Sequence, residues 1–207
     1  MVYLSLGKRC CMVAILSGDV IKSRSSDPKI WMPALEEAIS LYSNKFDIFR
    51  GDSFQAECTL QDVLSAVFYI KATMLALDLD VRIGIGIGTK EHDAPRIKNA
   101  FGSALIYSGE AFEELKKDTI FFKSAYPKLD ALCNVILPLV AELSTRWTTN
   151  MAETVKVAFR NEGANQAELA KLLDKKYQSQ VSTELQKASY AKMQRALAYC
   201  TKEMLAL

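Results

Sequence analysis

The chain reads as an α+β fold, a mainly antiparallel sheet with helices on one face followed by an all-helical module. Three observations predict it. Strand-like and helix-like stretches alternate from residue 12 to about 125. Within them, Val81-Arg82-Ile83-Gly84-Ile85-Gly86-Ile87-Gly88 alternates strictly, isoleucine on one side and glycine on the other, which is the period of a strand. From Pro127 onward glycine and strand formers become scarce and every segment has a helical period.

Taken in order, Met12 to Val20 is an apolar run closing in Gly18-Asp19, the pattern of a central strand. Residues 1–11 precede it and are expected to be either a loosely ordered extension or an over-called start. Asp27-Pro28 is a helix start, an N-cap followed by proline in the first turn. Trp31, Leu35, Ala38, Ile39 and Tyr42 then recur at spacings of three and four. Phe46 to Phe49 and Phe54 to Cys58 form a strand pair around the tip Arg50-Gly51-Asp52. Leu60 to Leu77 is a second helix with a broad apolar face. The glycines of Val81 to Gly88 require a close neighbour on their side of the strand, and their spacing is not that of a dinucleotide-binding turn. Gly102 to Lys117 reads as a third helix and Thr119 to Phe122 as a short strand. The remaining helices are expected at 129–146, 151–161, 166–173, 178–188 and 190–205. The expected units are 12–125, a connecting helix at 127–146, and a helical domain at 147–207.

Composition limits the function classes. The net charge of +2 on 207 residues is too small to imply nucleic acid binding by bulk charge, so such a partner needs a local patch. Five cysteines, scattered and without a Cys-x-x-Cys pair, argue against a disulfide framework or a zinc knuckle, and point to reduced thiols and a cytoplasmic location. A single histidine, His92 in a polar loop, excludes a histidine-rich metal site. No apolar run reaches the roughly 18 residues of a membrane span, and no export signal is visible.

Two Gly-Asp pairs carry the candidate chemistry. Asp19 closes the first strand and Asp52 stands at the hairpin tip, so two carboxylates are expected at neighbouring strand ends. Oxygen-only pairs of this kind suit Mg2+ or Mn2+, with phosphate and water completing the shell. Lys22, Ser23 and Arg24 follow the first aspartate, and Arg50 precedes the second, as candidate contacts for a nucleotide or other phosphate ligand.

In the helical module, Asn165-Gln166-Ala167-Glu168-Leu169-Ala170 leads through a short turn to Gln178-Ser179-Gln180-Val181-Ser182-Thr183-Glu184-Leu185. This resembles the helix-turn-helix of bacterial regulators. The resemblance implies that Gln178, Ser179, Gln180, Ser182 and Thr183 face base edges of double-stranded DNA, and that Lys175, Lys176 and Lys187 meet phosphates. Asp174 stands where glycine is usual in the turn.

Residues 12 to about 115 resemble class III nucleotide cyclases, on the first strand ending in a metal aspartate, the Gly51-Asp52 hairpin, the Arg82-Ile83-Gly84-Ile85 strand and Gly102 opening the next helix. A ferredoxin-like, cyclase-like sheet is what that resemblance implies. Where the family carries a purine-selecting lysine this chain has Ile48, and Ile106 and Glu110 hold the positions of its transition-state asparagine and arginine. Loss of one such donor costs about 2.7 to 4 kcal/mol of transition-state stabilisation. The whole chain resembles the SatD-like family of small bacterial proteins. Together these features lead to the expectation of a dimeric, cytoplasmic, DNA-binding regulator that senses a metal-bound nucleotide or phosphate ligand. Two alternatives stand beside it: a phosphoryl-transfer enzyme in which Arg50, Lys22 or Arg24 replaces the missing donors, and a dimeric scaffold without ligand.

Overall fold

The computed structural model describes residues 12–207; the extension expected at residues 1–11, with Cys10 and Cys11, lies outside the described residues. Among the described residues five strands form one mixed sheet: β1 (Met12–Ile21), β2 (Phe46–Phe49), β3 (Ser53–Cys58), β4 (Asp80–Thr89) and β5 (Ile120–Lys123). Their order is β2-β3-β1-β4-β5, antiparallel except for the β4-β5 pair. Eight α-helices among the described residues accompany it: α1 (Pro28–Ser40), α2 (Val63–Leu75), α3 (Ser103–Glu113), α4 (Pro127–Ser144), α5 (Thr149–Arg160), α6 (Gln166–Leu172), α7 (Gln178–Lys187) and α8 (Tyr190–Leu205). No helix among the described residues is long and apolar enough to cross a membrane.

The Ile-Gly alternation of β4 gives the sheet two unlike faces. Ile83, Ile85 and Ile87 join Ala14, Leu16, Phe54 and Ala56 in a core that includes Val67, Phe68, Ile70 and Met74 of α2. The glycine face receives α3, whose backbone lies directly on it. A Cβ on Gly86 would stand 2.1 Å from the Ser108 backbone nitrogen and 2.3 Å from the Ala104 carbonyl oxygen. Helices therefore cover both faces, which corrects the expectation of helices on one face. The glycines remove the side-chain layer that would otherwise hold α3 away.

Local signals start the helices where the sequence puts them. The Asp27 carboxylate accepts the Lys29 N–H at 2.9 Å, and Pro28 needs no donor partner in the first turn. Asn165 and Glu168 form a reciprocal capping box at α6.

The composition change at Pro127 does not interrupt the packing. Cys133 and Leu137 of α4, Ala152 and Val155 of α5, and Met193, Cys200 and Met204 of α8 share one buried cluster with the sheet core and α2. The buried Trp147 donates its indole N–H to the Ala188 carbonyl at 3.2 Å, tying the α4-α5 junction to the end of α7. Cys58, Cys133 and Cys200 are free thiols. α4 also covers the outer edge of the sheet. The Asn134 side chain accepts the Phe122 N–H and donates to the Phe122 carbonyl, both at 2.8 Å, so edge groups that could recruit another strand are occupied.

Polar links brace the opposite end of the sheet, at the start of β2 and the ends of β3 and β4. Lys90 pairs with Glu57 at 2.8 Å and with Asp93 at 3.0 Å, and Lys45 also binds Asp93. These two lysines hold the Asp93 carboxyl at about 2. The folded value lies below the ordinary 3.8, so this contribution to stability is present above pH 3.8 and disappears as pH falls toward about 2. In urea unfolding, wild type should exceed Asp93→Asn at pH 5 and match it near pH 2.

Candidate functional site

Asp19 comes to the site because β1 runs two residues past the Gly18-Asp19 pair instead of turning there. Gly18 is a packing residue: a Cβ on it would stand 2.5 Å from the Phe54 ring. In the β1-β3 ladder Asp19 lies opposite Ser53, one residue beyond Asp52. The Val20 N–H donates to the Asp52 carbonyl at 3.1 Å, so the hairpin turn is fastened to the end of β1. Arg50 and Gly51 take positive φ values of 55° and 90° there, a conformation that glycine accepts without steric cost.

The side chains converge on an open pocket of about 450 Å³ lined by Asp19, Val20, Ile21, Lys22, Ser23, Arg24, Asp52 and Arg82. Asp19, Asp52, Lys22, Ser23 and Arg24 are thus brought together from separate turns. Arg50 is exposed and stands outside this lining. Ser23 is buried and donates its hydroxyl to Asp52 Oδ2 at 2.7 Å, so it positions the acid. Lys22 and Arg24 are exposed at the rim.

Arg82 is the member that sequence reasoning missed. It lies directly opposite Asp19 in the β1-β4 ladder, donating Nε to Oδ1 at 3.0 Å and Nη2 to Oδ2 at 2.5 Å. Its guanidinium also lies 5.6 Å from the centre of the Phe112 ring of α3. The hydrogen bonds to Asp19, and the field of Asp19 and then Asp52, push the Arg82 pKa above its ordinary value. The signal was the strand period: Arg82 shares a face with Gly84, Gly86 and Gly88, and only the register shows that Asp19 is its partner.

The donor set accommodates a divalent ion in a particular way. Asp52 keeps Oδ1 uncommitted, whereas both oxygens of Asp19 are occupied by the Arg82 fork. A cation held by both acids requires Arg82 to yield part of Asp19; with 42% of its side chain exposed, Arg82 has room to do so. No group of three or more His, Cys, Asp or Glu side chains arranged for a metal occurs among the described residues. Ile106 is an exposed hydrocarbon side chain and Glu110 is an anion paired with Lys123 at 2.8 Å, and neither side-chain type carries a donor for a phosphoryl group.

The second candidate surface lies on α6 and α7. Ala158 of α5, Leu169 and Ala170 of α6, and Val181 of α7 form a small core of their own. Asp174 adopts φ 50° in the connecting turn, the left-handed conformation for which glycine is usual. Ser179, Thr183 and Lys187 are exposed along α7, and Lys176 is exposed beside the Tyr177 ring. Gln178 donates to Gln166 at 3.1 Å and Gln180 accepts the Tyr177 N–H at 3.1 Å, so both side chains brace the start of α7. Ser182 is half-buried in a groove toward the start of α8. Lys175 corrects the expectation of a phosphate contact: it is half-buried and paired with Glu184, which also accepts the Thr154 hydroxyl. Its charge is spent inside the helical unit.

Comparison with models of known families, with characterised proteins and with solved structures finds no match for this chain.

Proposed function

We propose that this protein is a DNA-binding regulator whose sheet unit senses a phosphate-bearing ligand, a nucleotide in company with Mg2+ or Mn2+. The observation that carries the reading is the meeting of Asp19, Asp52, Lys22, Arg24 and Arg82 around one pocket, from segments up to 63 residues apart. Three cationic and two anionic side chains leave one positive charge; a divalent ion would raise it to three, enough to meet a polyphosphate. Asp52 and Asp19 would hold the ion, which would neutralise phosphate oxygens. Lys22 and Arg24 would contact the outer phosphates, and Arg82 would divide its donors between Asp19 and the ligand. A cyclase-like sheet and a helix-turn-helix domain belong to this reading.

The output would run through packed elements. β1 and β4 pack on α2, α2 packs on α5, and α5 supports α6 and α7. A ligand that prefers one arrangement of β1 and the hairpin would thereby bias the presentation of α7. In this reading Ser179 and Thr183 approach base edges while Lys176 and Lys187 meet phosphates. Anisotropy titrations of a mixed-sequence duplex should show affinity that falls with salt, and Lys176→Ala or Lys187→Ala should each reduce the log-log slope by about 1. Lys175→Ala should instead lower stability by stranding Glu184. Absence of any salt-dependent affinity would remove the DNA half of the proposal.

A further inference from the structure

α4 displays one stripe to solvent that the fold leaves uncovered. Its exposed positions after Pro127 are Lys128, Ala131, Val135, Leu139 and Glu142, successive at spacings of three and four. Leu139 and Val135 are 65% and 63% exposed, the most exposed large hydrophobic side chains among the described residues. Packing the inward side of α4 on β5 and α8 does not require them. The apolar centre is bounded by a cation at one end and an anion at the other.

We propose that this stripe is the interface of a homodimer, in which α4 of one copy lies antiparallel to α4 of a second across a two-fold axis at Val135. The numbering makes the stripe self-complementary under that operation. Lys128 and Glu142 lie seven residues on either side of Val135, and Ala131 and Leu139 lie four on either side. Each Lys128 therefore faces a Glu142 and each Leu139 faces the small Ala131, a large residue against a small one. A parallel pairing would set Lys128 against Lys128. Two-fold interfaces require such a patch, identical on both copies and complementary to itself.

The stripe runs nearly the whole length of α4, from Lys128 to Glu142. An 18-residue helix is roughly 27 Å long. The groove between the start of α4 and the end of α8, about 330 Å³, continues the apolar surface through Leu132, Tyr126 and Leu207. Asn134 closes the sheet edge beneath, so copies meet through side chains and not by strand addition.

Sedimentation equilibrium of the full chain over micromolar concentrations tests the pairing. Wild type should be a dimer, and Val135→Glu/Leu139→Glu a monomer with an unchanged circular dichroism spectrum, since both side chains already face solvent. Lys128→Glu should weaken the dimer about tenfold by replacing two attractive contacts with two repulsive ones. Adding Glu142→Lys should restore it. A monomeric wild type, or a dimer indifferent to Val135→Glu/Leu139→Glu, would overturn the proposal. Failure of the double charge reversal to restore association would overturn the antiparallel register.

Discussion

Gly86→Val should cost about 3 kcal/mol or more, because the added atoms meet backbone and not a movable side chain. The nearest neighbours are the Ser108 nitrogen and the Ala104 carbonyl, so α3 must lift from β4 along its length. At roughly 2 to 4 °C per kcal/mol for a domain of this size, the melting temperature should fall by at least about 6 °C, with soluble yield falling too. Gly109→Ala supplies the control in the same helix. Nothing lies within 4 Å of a Cβ there, and replacing a helix-interior glycine should stabilise by about 0.5 to 1 kcal/mol. A Gly86→Val protein melting with wild type would mean that α3 does not seat on the glycine face.

Asp80→Ala should be comparably damaging for a different reason. Lys71 of α2 is 1% exposed and reaches Asp80 at 2.6 Å and the Thr119 hydroxyl at 3.1 Å. Removing the carboxylate leaves a buried ammonium with one neutral partner, a change worth about 3 to 5 kcal/mol. Lys71→Met, which removes the charge and retains much of the volume, should be far milder. Burial already lowers the Lys71 pKa, and Asp80 opposes that shift. Without Asp80 the folded value drops further below the unfolded 10.5, so the unfolded state binds more protons and stability rises with pH through that window. Denaturant titrations should show the Asp80→Ala deficit shrinking as pH rises from neutrality toward 10.5. A deficit constant with pH would mean that Lys71 is not the stranded charge.

Much of the fold was legible because it rests on short periods. The Ile-Gly alternation of β4 announced a close neighbour on its glycine side, and Asp27-Pro28 and Asn165 with Glu168 marked helix starts by capping chemistry. Periodicity shows which side of an element is apolar but not what covers it. Both sides of the sheet received helices, and the cluster around Cys133 and Cys200 merges two units that composition had separated at Pro127. The site divides in the same way. Asp19, Lys22, Ser23, Arg24 and Asp52 were found from local motifs, whereas Arg82 required the β1-β4 register across 63 residues. The commitment of Lys175 to Glu184 depends on how α6 and α7 cross, which neither helix encodes alone.

Whether the pocket between Asp19 and Asp52 takes a metal-assisted phosphate ligand, as proposed, can be read from its effect on stability. The most direct test is a thermal-shift titration of ATP and GTP, each with and without Mg2+ or Mn2+, on wild type and on Asp52→Asn, with Asp19→Ala/Asp52→Ala as the complete knockout. A ligand at roughly 100 times its dissociation constant should add about 2.7 kcal/mol, or roughly 5 to 11 °C. Wild type should show a shift that grows with the metal, is diminished in Asp52→Asn and is lost in the double variant. An unchanged melting temperature with every nucleotide and metal, or an equal shift in the double variant, would contradict it.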